Sequence, residues 1–242
     1  MTYVQAKARR SEQGFTLVEL AIVMVIIGLL IGGILKGQEL IANAKISGTV
    51  SQVKGLDAAM NTFTDKYAAL AGDMRNTATR LPGGVAAEDG DGNGGLNPQA
   101  GAAAALNEGT YVFSQLARAD LITGINLTNN NVAAGDRLPG VKAGGVMWLG
   151  TSTGAGAATG GINTLDAGRI YAALNGTTAA VAAGGGAFTP STAAQIDRKM
   201  DDGSATAGST QSLCNGGGTT AAGVYNENVT TSACSMYIRV NN

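Results

Sequence analysis

The chain holds one uninterrupted apolar run, Phe15 to Leu35 (FTLVELAIVMVIIGLLIGGIL), in which Glu19 is the only ionisable side chain. As a helix it would be roughly 31 Å long, enough to cross a hydrocarbon core of about 30 Å. Residues 1–14 carry Lys7, Arg9 and Arg10 against Glu12. Such a positive flank stays in the cytoplasm and sends the remainder outward. A secretory signal peptide ends at a small-residue cleavage site after its apolar stretch, whereas Lys36-Gly37-Gln38-Glu39 follows here. On these features alone the run reads as an uncleaved membrane anchor.

Composition narrows the chemistry. Among 242 residues there is no His, which removes His-based acid–base catalysis, Ser-His-Asp triads and His-ligated metals. Charged residues make up 14%, against about 25% in ordinary globular domains. The formal net charge is −1, where a nucleic-acid binder needs a basic surface to displace counterions from phosphate. Nothing in the sequence points to a nucleic-acid partner, an enzyme or a required cofactor.

The residues entering the apolar run say more. Gly14-Phe15-Thr16-Leu17-Val18-Glu19-Leu20 closely resembles the processing site of type IV prepilins and their type II secretion relatives, the pseudopilins. The resemblance implies that a prepilin peptidase cuts between Gly14 and Phe15 and methylates the new N-terminal Phe15, so that residues 1–14 are a leader. It also implies that Glu19 pairs with the Phe15 ammonium of a neighbouring subunit. A carboxylate in hydrocarbon costs about 2.5–3.5 kcal/mol at a helix centre and less near the interface. A unit-charge pair at 4 Å contributes roughly 4 kcal/mol at an effective dielectric near 20. Protonation or snorkelling of Glu19 to the headgroups is the competing account. Gly28, Gly32 and Gly33 fall in overlapping small-xxx-small patterns that permit close helix approach. Family members often carry a Pro about one turn later, but none stands near Lys36.

Beyond Lys36 the pattern becomes striped: Ile46, Val50, Val53, Leu56, Met60, Phe63, Tyr67 and Leu70 recur at steps of three or four, an amphipathic helix. The expected division is a leader at 1–14, a transmembrane or filament-core helix at 15–35, its amphipathic continuation at 36–71 and an exported domain at 72–242. Gly72 with Asp73 is the expected helix stop. Within 72–242, helices are expected at Thr110–Asp120 and at Pro190–Met200, the latter with Thr189 as N-cap. Strands are expected at Val141–Leu149, Arg169–Leu174 and Ala233–Val240. The fold class is α+β and pilin-like: a long N-terminal helix packed on a small antiparallel sheet with long Gly-rich loops. Tyr67–Met74, Glu108–Gly124 and Ile196–Gly203 look like stretches that recur in large pilin-like proteins.

Cys214 and Cys234 are the only cysteines and would both lie outside the cytoplasm. An even count in an oxidising compartment favours a disulfide, with a redox switch as the weaker alternative; in pilins a comparable bridge closes a C-terminal loop. Asp89, Asp91 and Asn93 in Asp89-Gly90-Asp91-Gly92-Asn93-Gly94 match the first half of a calcium loop, but the twelfth position is Ala100, not Glu. Asp197, Asp201 and Asp202 form a second acidic group at a helix C-terminus, where a structural Ca²⁺ would relieve conflict with the dipole. A flexible polar turn and a solvated charge cluster are the respective alternatives.

The expected function is a major or minor pilin. It would be a single-pass inner-membrane precursor with its domain outside the cytoplasm, cut by prepilin peptidase. The inner-membrane assembly machinery would then place it in a homo- or hetero-oligomeric filament, periplasmic or extracellular. Alternatives are a secretion pseudopilin and, in another class, a monomeric membrane-anchored adhesin.

Overall fold

A computed structural model describes residues 14–96, 107–128, 136–152, 165–176, 186–214, 217–219, 223–230 and 234–240. Residues 1–13, most of the expected leader, lie outside these segments, as do Ala100 and the Asn215-Gly216 pair. The chain divides into two compact units, Met1–Asn43 and Ala44–Asn242.

Helix α1 runs from Leu17 to Tyr67. In the second unit its stripe behaves as the spacing requires: Ile46, Val50, Val53, Leu56, Met60 and Phe63 are buried, and Tyr67 and Leu70 pack partly buried beside them. The helix stops five residues short of Gly72. Ala68 turns into the left-handed region (φ 49°) while its N–H still reaches Thr64 O (2.8 Å), and the Arg80 guanidinium donates to the orphan carbonyl of Tyr67. Gly72 (φ 92°) therefore does a different job from the one its position suggested. Its N–H donates to Gln115 Oε1 (2.6 Å), and a Cβ there would overlap Glu108 O and the side chains of Val112 and Leu96. It permits close approach to the next long helix.

Short helix α2 (Thr77–Arg80) and a 3₁₀ turn (Ala86–Glu88) precede α3, Glu108–Arg118. Helix α3 starts two residues before the expected Thr110. Asn107 Oδ1 accepts from Thr110 N (3.3 Å) and Thr110 Oγ1 accepts from Asn107 N (3.0 Å), a reciprocal cap. Helix α4 occupies Pro190–Met200, with Thr189 Oγ1 accepting from Thr192 N (3.3 Å) and Pro190 in the first turn.

The four strands are β1 (Val146–Thr151), β2 (Ile170–Asn175), β3 (Thr210–Cys214) and β4 (Cys234–Val240). They form one antiparallel sheet in the order β1-β2-β4-β3. Strand β1 begins later than the expected Val141, because Val141 closes a tight loop by accepting Gly144 N and donating to Gly145 O. Strand β3 had no expectation attached to it. Met147, Leu149, Ala172, Leu174, Met236 and Ile238 lie on one face and share a core with the α1 stripe, Phe113 and Leu116. Trp148, Ala173 and Tyr237 make a cross-strand row on the other. Tyr237 and Ser235, which alternate with the core-facing residues of β4, are buried as well, so both faces of the sheet are covered.

A buried ionic network ties the loops together. The 3₁₀ turn delivers Glu88, 2% exposed, to Arg118 Nε (2.8 Å) and to Arg137. Arg137 also donates to Ser114 Oγ (2.8 Å), and Gln115 Nε2 donates to Glu88 O (2.9 Å) while its other end holds Gly72. Burial alone would raise the Glu88 pKa. Hydrogen bonds and charge from Arg118 and Arg137 outweigh that and hold the carboxyl below its usual range.

Candidate functional site

Helix α1 opens on a reciprocal cap. Thr16 N and Thr16 Oγ1 both donate to Glu19 Oε2 (2.9 Å each), and Glu19 N donates back to Thr16 Oγ1 (3.2 Å). Thr16-Leu17-Val18-Glu19 is thus a capping box, with a negative charge at the positive end of the helix dipole. Glu19 Oε1 makes no hydrogen bond among the described residues. One oxygen secures the helix start and the other remains available.

Apart from Thr16, the side chains around this carboxylate are apolar and exposed. Phe15 is 90% exposed, and large side chains from Leu17 through Leu35 stay exposed. Phe15, Glu19, Leu20, Ile22 and Val23 line a shallow recess with far more apolar than polar surface. Among the described residues, this is the one helix long and apolar enough to cross a membrane. A Cβ added at Gly28, Gly32 or Gly33 would meet nothing within 4 Å. The single chain gives no packing reason for glycine there, although each costs about 1 kcal/mol of helix propensity relative to Ala.

The six-residue Asp89–Gly94 loop is organised around carboxylates. Asp89 turns away to accept Thr77 N (2.7 Å) and Thr77 Oγ1 (2.6 Å). Asp73 Oδ1 accepts Gly92 N (2.6 Å) and Asn93 N (3.2 Å), its Oδ2 accepts Gly94 N (2.7 Å), and Glu108 Oε1 accepts Asp91 N (2.9 Å). Four successive amides point at two buried acids, a backbone nest filled by the protein's own side chains. Asn93 donates its amide to Asp91 Oδ2 (2.8 Å). Of the carboxylates singled out in this loop, Asp91 therefore joins a group with Asp73 and Glu108, whose carboxylate oxygens lie within 4.8 Å of one another; Asp89 is outside it. Asp73 and Glu108 carried no local signal, because both reach the loop from distant elements.

Asp197, Asp201 and Asp202 do come together within the same distance. Each already holds protein donors. Asp197 accepts Tyr225 OH (2.8 Å) and Gly203 N (3.3 Å); Asp201 Oδ2 accepts Ser209 N and Thr210 N (3.2 Å); Asp202 accepts Ser204 N (2.8 Å). These two groups are the sets of carboxylates here that could hold a cation. Burial, only partly offset by the Tyr225 and Gly203 hydrogen bonds, pushes the Asp197 carboxyl up from 3.8 to about 6, and the charges of Asp202 and Asp201 add to the rise. The folded protein therefore takes up this proton at a higher pH than the unfolded chain. The Asp197 contribution to stability is complete below about pH 4 and disappears as pH rises through about 6. The expected result is a thermal midpoint that falls between pH 5 and pH 7.5, by an amount corresponding to on the order of 2 kcal/mol, with Asp197→Asn flattening the profile. Equal slopes for the two proteins would show that Asp197 is not the group responsible.

Cys214 and Cys234 are disulfide-bonded and directly opposite in the β3–β4 register. On its other side Cys234 exchanges backbone hydrogen bonds with Phe188 (3.2 and 2.9 Å). The bridge fastens both ends of the 214–234 loop, which carries Tyr225 to Asp197.

Compared with known proteins, residues 9–35 match the prokaryotic N-terminal methylation motif. No curated protein and no solved structure gives a significant match to the chain.

Proposed function

We propose, from the premise that residues 9–35 carry the signature shared by type IV pilins and pseudopilins, that this chain is a structural subunit of a type IV pilus-like extracellular filament. Prepilin peptidase cuts between Gly14 and Phe15 and methylates Phe15. Residues 15–35 hold the precursor in the inner membrane, with the second unit outside the cytoplasm, until the assembly machinery moves it into the filament. One apolar helix then serves two apolar surroundings in turn, lipid first and neighbouring helices afterwards.

The observation that carries this reading is Glu19, an acid on an otherwise apolar exposed helix with one oxygen capping its own backbone and one unused. A monomeric anchor has no use for that second oxygen and pays to keep it near hydrocarbon. Pairing with the Phe15 amine of the next subunit offsets the cost and sets the axial stagger. Gly28, Gly32 and Gly33 support the same reading, since the space beside them suits a helix that belongs to another molecule.

The test is mass spectrometry of the N-terminus together with electron microscopy of sheared surface material labelled by antibody against the second unit. Methylated Phe15 at the N-terminus and labelled filaments are expected. An intact Met1 on unpolymerised protein would instead identify a membrane-anchored monomer.

A further inference from the structure

At the end of α1 the chain turns back on itself and leaves a cavity of about 380 Å³, within the size range of small-molecule sites. Ala69, Leu70 and Met74 supply an apolar wall, and Arg75 and Arg80 supply charge. Arg80 is committed in part, donating to Tyr67 O. Arg75 is exposed and makes no hydrogen bond or ion pair among the described residues. It lies close to the Asp89–Gly94 loop. Gly92 (φ 69°) lies against the guanidinium, and a Cβ at that residue would run into Arg75 Nε. A glycine thus leaves room for an arginine whose fork of donors meets no acceptor among the described residues.

Asp73 also borders the cavity, yet both its oxygens are occupied by the amides of Gly92, Asn93 and Gly94. Its charge still selects among anions, because a dianion beside it is repelled about twice as strongly as a monoanion at the same distance. A planar monoanion matches the guanidinium fork, and the apolar wall asks for a nonpolar face next to it.

We propose that this cavity binds a small organic carboxylate of net charge −1, about one hexose in size, with Arg75 as its anchor. The chemistry is shared by acidic sugars and acidic amino acids. The site is independent of the assembly helix and does not rest on the filament reading.

Isothermal titration calorimetry on the full chain in detergent micelles tests it, with glucuronate and glutamate as probes and with glucose and inorganic phosphate as controls. Saturable binding of at least one carboxylate is expected, with glucose inert and phosphate weaker. The tighter of the two probes identifies the source as sugar or amino acid. Arg75→Gln should weaken binding by about tenfold or more, and Arg75→Lys by less, since the ammonium keeps the charge and loses the fork. Circular dichroism should match wild type in both variants. Absence of saturable heat with either carboxylate, equal affinity for glucose, tighter binding of phosphate, or unchanged affinity in Arg75→Gln would each overturn the proposal.

Discussion

Glu19→Leu should leave a precursor that is still cut before Phe15 and still resides in the membrane, while surface filaments fall to a small fraction of wild type. The substitution removes both the local cap and the oxygen held in reserve. A pair contributing roughly 4 kcal/mol corresponds to a loss of about a thousandfold in the association constant of each subunit. Thr16→Ala separates the two roles. It removes the hydroxyl half of the cap, at about 0.5–2 kcal/mol of helix stability, but keeps the carboxylate. Filament yield from Thr16→Ala should therefore stay well above that from Glu19→Leu. Quantifying sheared filaments decides the matter, and a normal yield from Glu19→Leu would remove the assembly role.

The second large effect lies in the globular unit. Glu88→Ala leaves Arg118 and Arg137 facing one another without their shared counter-ion, with only 12% and 6% of their side chains exposed. Breaking a buried pair from one side costs about 3–5 kcal/mol, because the surviving charge has been taken out of water without compensation. The Gln115 link is untouched by the substitution, since Gln115 Nε2 donates to the main-chain carbonyl of Glu88, which alanine keeps, and its Oε1 accepts Gly72 N. Chemical denaturation followed through Trp148, the single tryptophan, gives the number. Glu88→Gln retains the shape and part of the hydrogen bonding, and should cost clearly less. A loss below about 1 kcal/mol for Glu88→Ala would mean that water satisfies both arginines.

What the sequence displayed and what it hid divide along sequence distance. Helix α4 was legible to the residue because its signals are local: Thr189 as cap and Pro190 in the first turn. Strand β4 and the α1 stripe were legible by period alone. Strand β3, Thr210–Cys214, was not, because Thr-Gln-Ser-Leu-Cys shows no apolar alternation and becomes a strand through pairing with β4. The acidic loop was misleading in an instructive way. Its Asp and Gly spacing suggested ligands converging from within the loop, whereas the backbone amides look outward to Asp73 and Glu108. Likewise nothing near Glu88 announces that arginines 30 and 49 residues away will enclose it. The Thr16–Glu19 cap needs no distant partner: its T-x-x-E pattern stands in the sequence itself.

That cap also bears on how the precursor is recognised. A protease takes its substrate as extended chain, and a helix hides peptide bonds inside its hydrogen-bonded turns. Because the cap places the first helical residue at Leu17, the Gly14–Phe15 bond lies outside the helix, and among the described residues its carbonyl and amide join no helical turn. Were the helix to creep back by one turn, the scissile bond would be wound into it and the membrane pool would stall unprocessed. On the proposed processing route, Thr16 would thereby set which bond remains open to cutting as well as where the helix begins.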